Sequence, residues 1–392
     1  MRHIKEFARL LFNSLISLLF FFVKIKNNKV IITSTQNTSY NFNSKYLFEY
    51  LMNVEKNALF DVYYIINDTE KRQQLNEQYG TNRFIESNTF SGILFCLDAK
   101  FWISSTFEVP INSLFRNRKR KVVHLGHGVP LKNIGLSEER ISIFKKLNRL
   151  IRTRQFTDIV CYSDFFKSTM LKTFANRDAN YLCFGQSRND NLATDYSIVR
   201  DKLRKLSSSS GNAQYILYAP TWRPYGATIF FPFELNKDYF DDFLRKHNVY
   251  IFTRSHPFYP SKIDAEIRSL KNIIEFNSDV APEICDYLTG FDGLITDYSS
   301  IYIDYLVTDH KVAFIPYDLD EYTEHVGFSH SYDEFTPGAK IFSQDDIMRF
   351  ILSKDDLFRD KRQKIKEITN TKNNGNNFEI IDYLKKFIDM ES

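Results

Sequence analysis

The sequence predicts an α/β protein made of two Rossmann-like domains that face a cleft. Short β-branched and aromatic runs alternate with helical segments, and the polar stretch KLSSSSGN at 205–212 interrupts this alternation before it restarts. A length of 392 residues also suits two domains of ordinary size. Near-continuous apolar strands separated by helices indicate parallel sheets covered on both faces.

The alternation defines elements in both halves of the chain. In the first half it predicts helices at 44–56 and 165–174, and strands at 29–35, 60–68, 100–106, 121–128, 158–164 and 181–186. In the second half it predicts a last amphipathic helix at 378–388, and strands at 215–223, 249–257, 273–279, 293–300 and 312–318. The resulting segments are an N-terminal segment (1–28), two Rossmann-like domains (29–205 and 213–375) and a C-terminal helix (376–392).

The N-terminal segment carries a membrane signal. A basic start is followed by an apolar run from Leu10 to Val23, which Asn13, Ser14 and Ser17 interrupt, and then by lysines. The run is shorter than the roughly 20 apolar residues of a spanning helix, and no small-residue cleavage site follows it. We therefore expect an amphipathic helix in the plane of the membrane surface, with a buried helix or a true span as alternatives.

Charge and cysteine content exclude several classes of protein. The 52 basic and 48 acidic side chains give a net charge of +4, which is too balanced to indicate nucleic-acid binding. The basic cluster RNRKRK at 116–121 is either a solvated loop or a patch for anionic lipid or a phosphorylated substrate. The 4 cysteines are scattered, which argues against a disulfide framework or a zinc site and favours a reducing compartment.

Basic, hydroxyl and imidazole groups follow the predicted strands. In open parallel sheets, ligands bind beyond the carboxyl ends of the strands, so these groups are candidates for a common site. Arg223 and Arg254 in the second half and Lys132 in the first suit a pyrophosphate, because a guanidinium matches phosphate oxygens. Pairing of each arginine with a surface carboxylate is the alternative.

The stretch TDYSS (296–300) precedes a helical run. Ser299 and Ser300 therefore lie at a helix N-terminus, where free N–H groups favour an anion. An ordinary cap by Asp297 or Ser299 is the alternative, and both can hold at once. Asp304 lies one helical turn after Ser300, where it can reach a hydroxyl of a ligand.

Two histidines are candidates for chemistry. His127 lies between Gly126 and Gly128 in a loop that Pro130 stiffens, and His256 lies in the opposite half. Phosphoryl chemistry would be served by one neutral imidazole that takes a proton from a hydroxyl and by one donor that stabilises the phosphorus oxygens. A structural hydrogen bond is the commoner role for such a histidine. His124 lies inside a strand, and we interpret it as a packing residue or a support for the site.

These motifs, in this order, resemble those of the CDP-glycerol glycerophosphotransferase family, which builds teichoic acids and related polymers. The resemblance extends over roughly residues 30–350 and rests on HGVPLK (127–132), SRNDNL (187–192), APTWR (219–223), RSHP (254–257), TDYSSIYIDY (296–305) and the block at 315–338, together with NFNSKYLFEYL (41–51). Val129 stands where the family usually has Thr, and Gln186 and Ser187 alter the turn that carries Arg188.

The resemblance implies a GT-B type fold at the cytoplasmic face of the bacterial membrane. It implies CDP-glycerol as donor and CMP as leaving group, with the first domain binding the acceptor and the second binding the donor. His127 is then the base that deprotonates the acceptor hydroxyl, and His256 stabilises the transferring phosphate. The implied substrate contacts are Gly128, Val129, Pro130, Leu131, Lys132, Arg188, Trp222, Arg223, Arg254, Ser255, Asp297, Ser299, Ser300 and Asp304.

We therefore expect transfer of glycerol phosphate to a hydroxyl of a lipid-linked or polymeric glycan, in synthesis of teichoic acid or a capsule-type polymer. A CDP-ribitol-dependent enzyme, a nucleotide-sugar glycosyltransferase and a non-catalytic membrane scaffold are the alternatives. We expect no cofactor and no nucleic-acid partner. No acidic cluster in the sequence indicates a metal site, so a divalent-metal requirement stays open.

Overall fold

The computed structural model describes residues 2–53, 59–193, 196–255, 259, 261–372 and 374–388. The chain forms two compact units. The first unit comprises residues 1–129, 134–190 and 372–392, and the second comprises residues 130–133 and 191–371. The short segment 130–133 therefore belongs to the second unit, although residues of the first unit flank it on both sides.

The first unit contains an all-parallel sheet of seven strands in the order β3-β2-β1-β4-β5-β6-β7. Its strands are β1 (Lys26–Thr33), β2 (Asp61–Ile65), β3 (Phe84–Ile85), β4 (Ala99–Ser104), β5 (Lys121–His124), β6 (Asp158–Val160) and β7 (Asn180–Leu182). All residues of β4 are buried, as expected for a central strand with helices on both faces. The strand order reverses between β1 and β4, which places a topological switch point there.

The helices of the first unit cover this sheet. They are α1 (Arg2–Leu19), α2 (Phe42–Met52), α3 (Thr69–Gln78), α4 (Phe90–Leu97), α5 (Ile143–Thr153), α6 (Lys167–Phe174) and, from the end of the chain, α15 (Asn376–Lys385). Short 3₁₀ turns lie at Thr35–Asn37, Gly135–Ser137, Asp164–Phe166 and Ser187–Ala193. Asp190 caps α15, because its carboxylate accepts the backbone N–H groups of Asn376 and Asn377 at 3.0 and 2.8 Å.

The second unit contains a six-stranded parallel sheet in the order β12-β10-β8-β13-β14-β15 and a small pair β11-β9. Its strands are β8 (Gln214–Tyr218), β9 (Thr228–Ile229), β10 (Val249–Thr253), β11 (Ser261–Lys262), β12 (Ile273–Glu275), β13 (Gly293–Thr296), β14 (Lys311–Phe314) and β15 (Ala339–Lys340). The core on this sheet is built from aliphatic and phenylalanine side chains such as Ile216, Phe243 and Ile251.

The helices of the second unit are α7 (Tyr196–Ser207), α8 (Lys237–Lys246), α9 (Ala265–Arg268), α10 (Ile301–Tyr305), α11 (Leu319–His325), α12 (Tyr332–Phe335), α13 (Gln344–Leu352) and α14 (Arg359–Thr369). Short 3₁₀ turns lie at Ile284–Asp286, Leu288–Gly290 and Leu306–Thr308. The predicted α/β class with parallel sheets is confirmed. Helix α7 groups with this unit, because Arg200 pairs with Asp292 at 2.7 Å.

The buried side of helix α1 carries the polar residues Asn13, Ser14 and Ser17 together with Leu10 and Ile16, and its other side exposes apolar side chains. Asn13 donates to the Asn112 carbonyl at 3.2 Å, and the Leu114 N–H donates to the Ser14 hydroxyl at 2.9 Å. Phe12 and Leu15 are 54 % and 56 % exposed. Among the described residues, no helix has the length and apolar character needed to cross a membrane.

Candidate active site

The loop after β5 carries His127 and is held by a tyrosine. Gly126 has a φ of 72°, and a Cβ atom there would lie 1.8 Å from the Tyr162 hydroxyl oxygen. That hydroxyl donates to the Leu125 carbonyl at 2.8 Å, and its oxygen accepts the Gly128 N–H at 3.4 Å. The loop therefore requires glycine at position 126, because a side chain there would displace Tyr162, whose hydroxyl holds the loop through its hydrogen bonds to Leu125 and Gly128.

The His127 ring is exposed and oriented by two contacts. Its Nδ1 lies 3.1 Å from the Ser105 carbonyl oxygen, and its ring centroid lies 5.0 Å from that of Phe42. A carbonyl oxygen only accepts, so this hydrogen bond requires the proton on Nδ1. In the neutral ring, Nε2 then carries the lone pair and can take a proton from a hydroxyl.

Asn43 joins the loop to the turn that carries Arg188. Its amide nitrogen donates to the Gly126 carbonyl at 2.8 Å and to the Gln186 side chain at 3.4 Å. Its amide oxygen accepts the Arg188 N–H at 3.1 Å. Asn43 and Arg188 are both buried. The structure thus brings His127, Gly128 and Arg188 together within the first unit, with Val129 buried beside them.

His124 is a packing residue, as predicted. It is buried among the rings of Phe107, Phe156 and Phe174, with centroids 4.6 to 6.0 Å away. Burial, together with the nearby charge of His127, lowers the pKa of His124 to about 3, so the ring is neutral at physiological pH.

The segment Pro130–Asn133 pairs with residues 327–329 of the second unit. The Ser329 hydroxyl donates to the Pro130 carbonyl at 2.6 Å, the Ser329 N–H donates to the Leu131 carbonyl at 2.9 Å, and Lys132 forms an antiparallel bridge with Phe328. The Lys132 ammonium donates to the Thr221 hydroxyl at 3.3 Å. Burial lowers the pKa of Lys132 to about 8, against the opposing attraction of Asp297.

Arg223 is buried and paired with two carboxylates. Its guanidinium donates to Asp297 at 2.8 Å and to both oxygens of Asp318 at 2.6 and 2.8 Å. Burial alone would raise the pKa of Asp318, but hydrogen bonds from Arg223 and from the hydroxyls of Tyr225 and Tyr298 outweigh it, and that pKa lies below its usual value. The carboxylate alternative thus holds for Arg223, with the buried Asp297 and the half-buried Asp318 as partners.

The residues around β13 hold each other in place. The Thr221 N–H donates to the Asp297 carboxylate at 2.7 Å. The five-residue helix α10 begins after Ser300, whose side chain makes no capping hydrogen bond, and Ser299 accepts the Ile301 N–H at 3.4 Å from one residue earlier. Ser299 and Ser300 are half-buried, and Asp304 is buried.

Arg254 and Ser255 directly follow β10, and Trp222 lies in the loop after β8. Arg254 donates to the carbonyls of Phe276, Asn277 and Ala281 at 2.8 to 3.3 Å. Ser255 lines a cavity of about 760 Å³, and Trp222 stacks on Tyr259 with centroids 4.4 Å apart. His256 lies outside the described residues. Among described residues, no cluster of histidine, cysteine and carboxylate side chains could hold a metal ion.

Three residues hold these loops in place although the sequence did not mark them individually: Asn43 and Asp318 lie within the stretches 41–51 and 315–338, and Tyr162 lies outside the motifs. Tyr162 and Asp318 follow strands β6 and β14 within a few residues, so the rule that ligand-binding groups follow parallel strands could have found them. Asn43 lies in the first turn of α2, and its role depends on a contact with Gly126 that the sequence does not show.

Comparison with known proteins identifies the family. The model of the CDP-glycerol:poly(glycerophosphate) glycerophosphotransferase family matches residues 15–383. A teichoic acid glycerol-phosphate transferase of Staphylococcus aureus is 24% identical over 335 residues, which cover 81% of each chain. A teichoic acid poly(ribitol-phosphate) polymerase of Bacillus spizizenii is 24% identical over 350 residues, which cover 83% of this chain. The chain spans about half the length of that polymerase, 51%.

Solved structures agree on the fold. A variant of the wall teichoic acid polymerase TagF soaked with CDPG matches with a TM-score of 0.78 and 20% identity, covering 99% of this chain and 96% of that one. A UDP-GlcNAc 2-epimerase from Neisseria meningitidis, bound to UDP-GlcNAc, matches with a TM-score of 0.53 and 11% identity over 91% of this chain.

Proposed function

Because this chain belongs to the CDP-glycerol:poly(glycerophosphate) glycerophosphotransferase family, we propose that it transfers glycerol phosphate from CDP-glycerol to a hydroxyl of a lipid-linked or polymeric glycan and releases CMP. The family match over residues 15–383 carries this proposal. The product is a teichoic acid or capsule-type polymer. The GT-B type organisation, with acceptor and donor held by different units, is part of the proposal.

The proposed step is attack of the acceptor oxygen on the β-phosphorus of the donor. A new P–O bond forms, the bond from that phosphorus to the bridging oxygen breaks, and CMP leaves with the bridging oxygen. The acceptor proton goes to Nε2 of His127, which the hydrogen bond between Nδ1 and Ser105 leaves available. His256 stabilises the transferring phosphate in this proposal, as the family resemblance implies.

The donor contacts divide by how their side chains are held. Lys132 supplies the charge for the pyrophosphate, and a hydrogen bond to the Thr221 hydroxyl positions its ammonium group. Arg223 acts through its pairs with Asp297 and Asp318, which hold the loop around Thr221 and Trp222 in place. Arg254, Ser255, Ser299, Ser300, Asp304 and Arg188 complete the proposed donor site.

We place the protein at the cytoplasmic face of the membrane as a peripheral enzyme. The support is α1, whose exposed side carries Phe7, Leu11, Phe12, Leu15 and Leu18 while its polar side binds the protein. Such a helix lies in the interface with its apolar face in the acyl boundary.

A donor panel tests the reaction. The purified chain is incubated with a glycerol-phosphate primer and with CDP-glycerol, CDP-ribitol or UDP-N-acetylglucosamine, each labelled in the β-phosphate. We expect CMP release with CDP-glycerol and label in the polymer. Label that stays with the nucleotide would show sugar transfer, and no release from any donor would show a binding protein.

Ribitol transfer is the second candidate, because the similar curated proteins include ribitol-phosphate polymerases of Bacillus spizizenii and Staphylococcus aureus. Faster CMP release from CDP-ribitol than from CDP-glycerol in the same panel would favour it.

A further inference from the structure

A second cavity lies in the first unit, on the switch point of its sheet. Its volume is about 500 Å³. Gln36 and Asn37 after β1, Asn67 after β2 and the stretch 106–110 after β4 line it. In such sheets, ligands bind at the carboxyl ends of the strands, at the point where the strand order reverses. Gln36 and Asn37 have φ angles of 57° and 58°, so strained backbone is maintained at this edge.

The side walls of the cavity are two amphipathic helices. Helix α1 contributes Arg9, and α5 contributes Lys145, Arg149 and Arg152. The acidic residues in the lining are Glu6 and Glu108, so the basic side chains outnumber them. This excess favours an anionic ligand.

The cations differ in how firmly the protein holds them. Arg149 pairs with Glu138 at 2.6 Å and donates to the Gly135 carbonyl, which gives it a structural role. Arg152 donates from Nε to the Asn148 side chain at 3.1 Å, and its Nη1 lies 3.5 Å from Glu108 in a weak pair. Arg9 is exposed, and no ion pair joins it to another side chain in the described part of the chain. Arg9 and Arg152 are therefore the cations best able to bind a ligand.

The same two helices expose apolar side chains next to these cations. Phe7, Leu11 and Leu15 on α1 are 48 to 58 % exposed, and Ile143 and Phe144 on α5 are 83 % and 74 % exposed. Phe144 also lines the cavity. Basic groups beside exposed apolar side chains are typical of surfaces that bind an anionic amphiphile.

One stretch of the cavity lining directly follows the residue that orients the candidate base. The Ser105 carbonyl that holds Nδ1 of His127 belongs to the residue before Thr106, which lines the cavity. The backbone that orients His127 is therefore continuous in sequence with the backbone that lines the cavity.

We propose that this cavity binds the phosphate-bearing head of the lipid-linked acceptor, with Arg9 and Arg152 on the phosphate oxygens and the apolar sides of α1 and α5 against the lipid chain. This inference rests on the proposed function, because it assigns the cavity to the acceptor of that reaction. It adds a binding site separate from the donor residues of the second unit.

The test measures binding without turnover. Dodecyl phosphate, below its micelle concentration, is titrated into the full chain with saturating CDP-glycerol present. We expect the double variant Arg9→Gln/Arg152→Gln to bind it about tenfold more weakly, since charge-assisted hydrogen bonds are lost. Arg154→Gln, an exposed arginine at the end of the same helix outside the cavity, is the control and should bind like the wild type.

Two further measurements separate the sources of binding. Inorganic phosphate should bind far more weakly than dodecyl phosphate, and CDP-glycerol should not displace dodecyl phosphate. Arg9→Glu, at an exposed position, should weaken binding further without a change in thermal unfolding midpoint.

Unchanged affinity in the double variant would overturn the proposal, as would equal affinity for inorganic phosphate or displacement by CDP-glycerol. Because these readouts do not depend on CMP release, a chain that releases no CMP can still confirm the cavity, and an active chain can still refute it. In an active chain, the double variant should raise KM for the primer with kcat unchanged.

Discussion

At the residue scale, the surroundings of each side chain decide whether it is available for chemistry. His127 and His124 lie in the same stretch of sequence, yet one ring is exposed beside a carbonyl and the other is buried among phenylalanines. Arg223 and Lys132 are both basic groups near Thr221, yet only the arginine is neutralised by buried carboxylates.

Replacement of His127 tests its assignment as the base. His127→Ala should reduce CMP release in the presence of primer by at least about a hundredfold, the usual contribution of a general base, and leave donor affinity within about twofold. His247→Ala is the matched control, because His247 also lies against a phenylalanine ring, at 4.9 Å, and should keep full activity. Ordinary turnover of His127→Ala would refute the assignment.

The lowered pKa of Lys132 predicts a pH dependence of donor binding. Lys132 titrates at about 8 in the free protein, so it is charged at pH 7 and neutral at pH 9. An anionic donor needs the charged form. We expect affinity for CDP-glycerol, measured by calorimetry, to be constant below about pH 7 and to fall as pH rises through 8, by up to about tenfold per unit.

Lys132→Met should bind the donor weakly and without this pH dependence. Lys340→Met is the control, because burial lowers the pKa of Lys340 to about 8 as well, and its variant should keep the wild-type profile. A pH profile that persists in Lys132→Met would exclude Lys132. Stability should move the other way: since the unfolded lysine titrates at 10.5 and the folded one lower, this residue makes the fold more stable as pH rises between these values.

At the element scale, the strands were easier to predict from the sequence than the contacts that hold their loops and short partner strands. The alternation of apolar runs predicted most strands to within a few residues, because hydrophobic patterning follows from burial in the same sheet. The strands β3, β9, β11 and β15 have two residues each, which is too short to leave such a pattern. The ion pairs of Arg223 with Asp318 join residues that are 95 positions apart, and a strand-end rule alone does not pair them.

Gly126 should tolerate no side chain. In Gly126→Ala the new Cβ meets the Tyr162 hydroxyl, in addition to the cost of a positive φ. We expect a loss in free energy of unfolding about 2 kcal/mol greater than in Gly211→Ala, where φ is 63° and no atom lies within 4 Å. Urea unfolding measures both. Adding Tyr162→Phe should restore only part of the loss, since the ring carbon would still lie 2.9 Å away; equal losses at both glycines would contradict this account.

The cap of α15 should contribute more than an ordinary one. Asp190→Ala removes two backbone and two side-chain hydrogen bonds of Asn376 and Asn377. We expect a loss of about 2 to 3 kcal/mol in free energy of unfolding. Asp68→Ala removes one exposed cap bond at α3 and should cost about 1 kcal/mol. A smaller effect at Asp190 than at Asp68 in urea unfolding would show that α15 is held by other contacts.

At the scale of the whole molecule, the family and the α/β class were accessible from motif order and patterning, whereas the sidedness of α1 was not. Its sequence shows polar residues inside an apolar run, and only the bonds to residues 112–114 show that the polar side faces the protein. The sequence likewise does not show that residues 130–133 belong to the second unit, because this depends on their pairing with residues 327–329.

The outward apolar side of α1 predicts membrane association. We expect Phe12→Ser/Leu15→Ser to reduce flotation of the protein with vesicles that contain anionic lipid by about tenfold or more, since each apolar side chain contributes roughly 1.5 to 3 kcal/mol when buried. Phe342→Ser/Leu357→Ser is the control, at side chains that are 63 % and 89 % exposed elsewhere. If both double variants lose the same flotation, α1 is not the anchor.

The return of α15 to the first unit sets an order of events during synthesis. Asp158 and Asp190 are made early, but their partners Tyr383, Asn376 and Asn377 emerge from the ribosome only after the whole second unit has been translated. The second unit, whose residues are all available by position 371, can therefore finish folding before the unit that precedes it. Until α15 is made, the surface of the first unit beside β6 stays uncovered. At this stage a chaperone or a premature stop would have the greatest effect.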